Sequence, residues 1–300
     1  MKRLIILLTV LTAAIQWRVS AASGDLFIYP TAPDTMQALQ DRCDYIVTRF
    51  WDRCNFDTGL RNPDKLNTAF QDWVALMPYA SADTVYTAVD KLMARFEKKA
   101  PETLAFATMA ENNLYSDTAS MRAPEVYLHF AKAAAGSKKL SKAERARFQA
   151  HTQIIESSRV GATVPGVPFV KADGTKGTLD DIKNPGSILL FFNDPDCLDC
   201  RIARIRLSSD MHTNELIDKG QLTIVSIYPG ETDEDGWTQA KADAPANWVT
   251  VAMPDAADYF DLRSTPAFYF LNARHKVLVA DLDVDYLLGA FSTANSAQRQ

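Results

Sequence analysis

The stretch "LLFFNDPDCLDCRIARIRL", Leu189–Leu207, decides how this chain is read. An apolar run ends in Asn-Asp-Pro-Asp, two cysteines follow three positions apart, and the residues after them read as a helix. Cys197 therefore sits where a buried strand hands over to a helix. The positive end of the helix dipole and its exposed amides stabilise a thiolate there. The spacing lets the Cys200 sulfur reach Cys197 without unwinding the helix. So close a pair binds a metal, locks a loop, or exchanges electrons.

The segments around it alternate. "GATVPGVPFVKADGTKGTLDDI", residues 161–182, carries glycine and proline punctuation around short apolar pieces, the mark of a small hairpin. Apolar runs follow at Ser187–Phe192, Leu222–Tyr228, Trp248–Met253, Ala267–Leu271 and Lys276–Ala280. Helical stretches separate several of them: Cys197 to about Asp218, Glu234–Ala242, Asp255–Leu262 and Tyr286–Ser292. Strands alternating with helices, then a closing pair of strands, predict an α/β domain with a mixed sheet.

The chain before this has another texture. From Asp34 to about Ser157 the apolar residues recur at helical spacing, with Val85, Val89, Leu92 and Met93 on one stripe. Asn62-Pro63, Pro101 and Pro124 sit where helices begin, and Ser141 with Glu144 forms a capping box. This predicts an all-helical domain of five or six helices, with Trp51, Phe70, Trp73, Phe96 and Phe130 in its core. The expected boundaries are a leader at 1–21, the helical domain at 22–158 and the α/β domain at 159–300.

Lys2 and Arg3 precede an apolar run, Leu4–Ile15, and Val19-Ser20-Ala21 offers small residues for cleavage near Ala21. This is the layout of a secretory signal, and the run is short for a bilayer span. An uncleaved anchor is the competing reading. No cysteine follows the run to take a lipid. The expectation is a periplasmic or otherwise exported protein with no stable membrane span after signal removal, where disulfides persist. A net charge of −5 with no long basic run speaks against a nucleic-acid partner.

At "ILLFFNDPDCLDC" (188–200) and "RSTPAFYFLN" (263–272) the chain resembles the thioredoxin superfamily, particularly the exported TlpA/ResA-like thiol-disulfide oxidoreductases. Residues 161–182 resemble the entry segment of that family. The resemblance covers about the last 140 residues and implies a thioredoxin-like fold without a cofactor. It makes Cys197 and Cys200 the catalytic pair and Thr265-Pro266 the substrate-binding cis-proline element, where the Thr265 backbone would pair with an extended peptide. Disulfide-containing proteins are the implied substrates, with a membrane or periplasmic electron donor. The helical part resembles a module of unknown function that precedes such domains in exported Bacteroidota proteins, and "NNLYSDTASMRAPEVY" (112–127) is its recognisable core.

This chain departs from the pattern. Asp196 replaces the usual aromatic before the first cysteine, Leu198-Asp199 replaces Gly-Pro between the cysteines, and Phe191 stands where thioredoxin has a buried acid. Asp194, Asp196 and Asp199 crowd the pair with negative charge while Arg201 opposes them, so all four are read as pKa-tuning residues. A zinc site needs more ligands than one Cys-x-x-Cys supplies, and a peroxiredoxin would want Thr or Ser at 194. A redox-inert thioredoxin-fold binding module, its helical domain holding a partner, stays open as the alternative.

Cys43 and Cys54, in "DRCDYIVTRFWDRCNF", would lie about 16 Å apart on a single helix, too far to bond. They are read as unpaired, partly buried thiols, a disulfide requiring a break between them that the residues do not announce. His129, His151, His212 and His275 are read as surface or packing residues.

Overall fold

The computed structural model describes residues 26–298 except 117, 120, 263, 264 and 281; the expected signal segment lies outside the described residues. The chain divides into two compact units, the first ending at Ala88 and the second starting at Val89.

The first unit contains α1 (Leu39–Arg49), α2 (Phe56–Leu60) and α3 (Pro63–Val74), and it closes within α4 (Ala82–Ala94). Its core is aromatic: Phe50, Trp51, Phe70 and Trp73 are buried, and the Trp73 indole N–H donates to the Val47 carbonyl at 3.0 Å. Pro63 opens α3, since proline at the first helical position loses no hydrogen bond. The single-helix reading of Cys43 and Cys54 is corrected here: α1 ends at Arg49 and α2 starts at Phe56, capped by the Asn55 side chain. Both cysteines are buried and neither is in a disulfide.

The second unit continues with α5 (Ala100–Ala110), α6 (Pro124–Gly136) and α7 (Lys142–Ser158). Seven α-helices thus precede the sheet among the described residues, more than expected because the five-residue α2 has no apolar periodicity. The Ser141 hydroxyl accepts from Glu144 N (3.2 Å) while the Glu144 carboxylate accepts from Ser141 N (2.7 Å), the expected capping box. Those two bonds hold the exposed Glu144 carboxyl below its ordinary range.

Strands begin with β1 (Pro168–Lys171) and β2 (Lys176–Thr178), the hairpin, where Gly174 takes φ +85°, a turn conformation that costs any side chain. Then follow β3 (Ser187–Phe192), α8 (Leu198–Ser209), α9 (Met211–Asp218), β4 (Leu222–Tyr228), α10 (Asp235–Asp243), β5 (Val249–Ala252), β6 (Ala267–Asn272), β7 (Val277–Ala280) and α11 (Val284–Gln298). The seven-stranded sheet runs β2-β1-β5-β4-β3-β6-β7. β3, β4 and β5 are parallel and the outer pairings antiparallel, a mixed sheet.

Two expected helices are corrected. The run from Cys197 to Asp218 breaks at Asp210, whose carboxylate accepts from Thr213 N (2.7 Å) and Thr213 Oγ1 (2.8 Å) and starts α9 afresh. Asp gains more as an N-cap than as a helix interior residue. The Asp255–Leu262 helix is one short 3₁₀ turn, Pro254–Asp258.

β3 is central and buried on both faces, so it reads as a continuous apolar run. Ile188, Leu190 and Phe192 face one core with Val225, Phe260 and Tyr269. Leu189 and Phe191 face the other, beneath Ala203 and Leu207 of α8 and Leu287 and Phe291 of α11. Both cores draw only on residues from Val164 onward. Phe191 stacks on Phe268 at 4.9 Å, which explains why an apolar ring can stand in place of an acid there.

Candidate functional site

The end of β3 positions the site. Asn193, 2% exposed, donates through its amide to Phe191 O (3.1 Å), Ser226 Oγ (3.0 Å) and Ile227 O (3.3 Å). These bonds tie the loop start to β4. Asp194 then turns the chain, its carboxylate accepting from Asp196 N (2.9 Å), and α8 begins two residues later with Cys197 as N-cap. Asn193 was not singled out from the sequence, although a polar residue closing a fully apolar strand run is a visible signal.

Cys197 and Cys200 are joined in a disulfide with Cα atoms 5.2 Å apart. Cys197 is partly exposed and Cys200 is 1% exposed, which leaves Cys197 as the reachable sulfur. The Cys200 backbone N–H lies 3.1 Å from Cys197 Sγ, a donor in place for a thiolate when the bond is open. The Thr265–Pro266 peptide bond is cis, and the Thr265 carbonyl lies 3.5 Å from Cys197 Sγ. Residues 68 positions apart in sequence thus meet at one sulfur.

Of the four charged neighbours, Asp196, Asp199 and Arg201 are exposed and Asp194 is half-buried. Arg201 meets the site through its backbone, Arg201 N donating to Cys197 O at 3.2 Å. Asp194 and Asp196 are felt at the end of β4. The Tyr228 phenol is pushed up to about 12 by its hydrogen bond to Glu234, by burial, and by the negative charge of Glu234, Asp194 and Asp196. No sequence motif marks Tyr228 and Glu234, whose contact forms only on folding. Leu198, 60% exposed, leaves an apolar side chain in solvent between the cysteines.

The remaining candidates lie elsewhere. His275 is buried at φ +57°, its Nε2 2.9 Å from Ile182 O, a packing role. His151 Nδ1 is 2.7 Å from the Tyr127 hydroxyl, and His129 pairs with Asp90. Burial raises the Cys43 thiol above its ordinary pKa, with Asp44 adding and Arg42 opposing. Among the described residues no group of three or more His, Cys, Asp or Glu side chains could hold a metal ion. No helix among them is long and apolar enough to cross a membrane.

Residues 11–158 match a family model described as a domain of unknown function, DUF5106. A search of curated proteins finds no match. A crystal structure of a thioredoxin-like protein from Bacteroides caccae superposes with a TM-score of 0.75 at 25% identity, over 89% of this chain and 98% of that one. The likeness therefore takes in much of the helical part as well as the α/β part. The thioredoxin domain of a thiol-disulfide oxidoreductase from Bacteroides vulgatus aligns at 22% identity and a TM-score of 0.39, over 46% of this chain and 98% of that one.

Proposed function

We propose that this chain, a thioredoxin-like α/β domain preceded by helices, is an exported thiol-disulfide oxidoreductase that reduces or isomerises disulfides of envelope proteins. One observation carries the reading: the Cys197–Cys200 pair caps α8 with Cys197 the more exposed sulfur, 3.5 Å from the Thr265 carbonyl. A structural disulfide has no need of a part-exposed cysteine 3.5 Å from a peptide carbonyl remote in sequence.

The chemistry follows from the two environments. In the reduced protein the Cys197 thiolate, held by Cys200 N–H and the start of α8, attacks one sulfur of a substrate disulfide. An S–S bond forms to Cys197 and the substrate's own S–S bond breaks, its other sulfur leaving as a thiolate that takes a proton. Cys200 then loses its proton, attacks Cys197 Sγ and expels the second substrate sulfur. The substrate gains two electrons and the protein ends as the disulfide. An external dithiol donor of the envelope must return those electrons. The Thr265 backbone beside the sulfur is the assigned docking edge for the substrate strand, and Pro266 fixes the turn.

The domain limits belong to the same proposal: signal at 1–21, helical domain at 22–158, thioredoxin-like domain at 159–300. Their support is that both cores of the sheet draw on residues from Val164 onward. Reduction of insulin by the purified protein with dithiothreitol as donor tests the function. Turnover lost in Cys197→Ser is the expected result. No turnover above the uncatalysed rate would favour the redox-inert binding module instead.

A further inference from the structure

The sequence core of the helical part, "NNLYSDTASMRAPEVY", has no role in the dithiol chemistry, yet part of it builds a cleft. α5 does not end cleanly at Ala110. It runs on as a π turn, Glu111–Tyr115, closed by Ser116 N donating to Glu111 O at 2.8 Å. Such an inserted residue rotates the side chains that follow and recurs at functional sites. Glu111 and Tyr115 of this turn, with His151 of α7, form one wall of a cavity of about 430 Å³. Phe260, Asp261 and Leu262, from the segment that leads into Thr265, line it as well. All of these residues lie within the second compact unit.

The lining has a definite chemistry. Tyr115 stacks on Tyr127 at 4.6 Å and packs on His151 at 4.8 Å, while Tyr127 holds His151 Nδ1 at 2.7 Å, so this wall is rigid and aromatic. The Asp261 backbone is held too: the Tyr269 hydroxyl donates to Asp261 O (3.1 Å) and accepts from Asp261 N (3.0 Å). Glu111 Oε2 is buried and accepts no hydrogen bond. Arg147 approaches it to 3.4 Å as an ion pair, but that guanidinium donates to Thr108 Oγ1 (2.7 Å) and lies over the Phe148 ring. Glu111 thus lines the cleft as a part-buried carboxylate whose ion pair with Arg147 carries no hydrogen bond, an arrangement to which a second cation adds stabilisation. Burial raises the Glu111 carboxyl above its ordinary range, against the pull of Arg147.

We propose that this cleft receives a basic side chain, lysine or arginine, of the polypeptide engaged at Cys197. A cation on an apolar stem matches a carboxylate among aromatic walls, and the volume lies within the ~300–1,000 Å³ of ligand pockets. An anion would meet Glu111 and Asp261. A wholly apolar group would desolvate the Glu111 carboxylate further and bring no countercharge.

The location sets a spacing. Leu262 is three residues before Thr265, at most about 11 Å along an extended chain. Thr265 O is 3.5 Å from Cys197 Sγ, so the rim lies within roughly 16 Å of the sulfur. An extended substrate covers that in about five residues. The assigned substrate class is a disulfide protein with a basic residue about three to six positions from its reacting cysteine, an assignment that rests on the redox reading above.

Two measurements test it on the full chain. The first is calorimetric binding of an acetylated hexapeptide amide, Gly-Ser-Gly-Gly-Lys-Gly, against the same peptide with norleucine for lysine; neither has a cysteine. The lysine peptide should bind at least tenfold more tightly, and the ratio should fall below threefold in Glu111→Gln and in Asn112→Lys, an exposed position that supplies the cleft with its own cation. Equal binding of both peptides, or a lysine preference surviving in both folded variants, overturns the proposal. The second measures kcat/KM for peptide disulfides with lysine or norleucine four residues from the cysteine, taken as a ratio within each variant. A tenfold ratio lost in both variants supports the substrate assignment. Lysine binding without a rate preference overturns that assignment in favour of a free amine. If no disulfide is reduced at all while lysine still binds through Glu111, the redox reading fails, and the substrate assignment with it.

Discussion

Replacing Asp196 and Asp199 together by asparagine should make the dithiol less reducing, and the size of the change can be worked out. Both carboxylates are exposed, next to and two positions after Cys197 in sequence. At a charge separation of about 7 Å in a water-like dielectric, each costs a neighbouring thiolate ~0.6 kcal/mol, or about 0.4 of a pK unit. Removing both should lower the Cys197 pKa by roughly 0.8 unit at low salt and by less at 1 M salt, where screening acts within ~3 Å. Asp194 is left in place because its carboxylate organises the loop through Asp196 N.

The effect on the potential depends on pH. A lower Cys197 pKa stabilises only the reduced form, and only where the thiolate is populated. For a two-electron couple a tenfold change is ~29.6 mV, so the double variant should be about 24 mV less negative well above the pKa and unchanged well below it. The wild-type Cys197 pKa is expected near or above ~7, far from the ~3.5 of DsbA, and its potential closer to about −270 mV than to about −120 mV. Glutathione-equilibrium titration across pH, with thiolate absorbance read in parallel, checks both numbers. A wild-type value above roughly −180 mV, or a double variant unchanged in pKa and potential at high pH, would refute the electrostatic reasoning and leave the helix terminus and Cys200 N–H in control.

In the reduced native protein, iodoacetamide should label Cys197 well before Cys43 and Cys200, since burial raises the Cys43 thiol and covers Cys200; peptide mapping after a brief pulse reads the order. Ser141→Ala should cost about 0.5–2 kcal/mol in urea unfolding by breaking the capping box of α7. Because Glu144 is held below its ordinary pKa in the folded chain, the stabilisation it gives is present above the unfolded carboxylate pKa and fades as pH falls through the folded one. Ser141→Ala should flatten that acid limb. Phe191→Ala should cost about 3–5 kcal/mol, since the ring is fully buried against Phe268 between α8 and the sheet. Residues 159–300 made alone should fold and exchange disulfides; an unfolded fragment by circular dichroism would place the domain boundary nearer the start of the second compact unit.

What was legible in this chain was whatever a single continuous segment encodes. Ser187–Phe192 and Leu222–Tyr228 match their strands residue for residue because a strand buried on both faces is dominated by apolar residues, with Thr223 and Ser226 the polar exceptions in the second. The cysteine pair is local too, and its spacing alone places both sulfurs on one helical turn. The break at Asp210 is hidden because a helical apolar pattern continues across it; the cap is an energetic preference of one carboxylate for Thr213 N–H, and periodicity cannot register it. The end of α1 at Arg49 was missed in the same way, within a run of buried aromatics. The Glu111 cleft was beyond reach for a different reason. Its walls come from residues 111–116, 151–154 and 257–262, and the π turn that aims Glu111 and Tyr115 is one inserted residue in a pattern that still reads as helix. Only the family resemblance carried by "NNLYSDTASMRAPEVY" marks that region, without saying why. A dithiol announces its chemistry in four residues, whereas the selection of what reaches it is distributed over segments that meet only after folding.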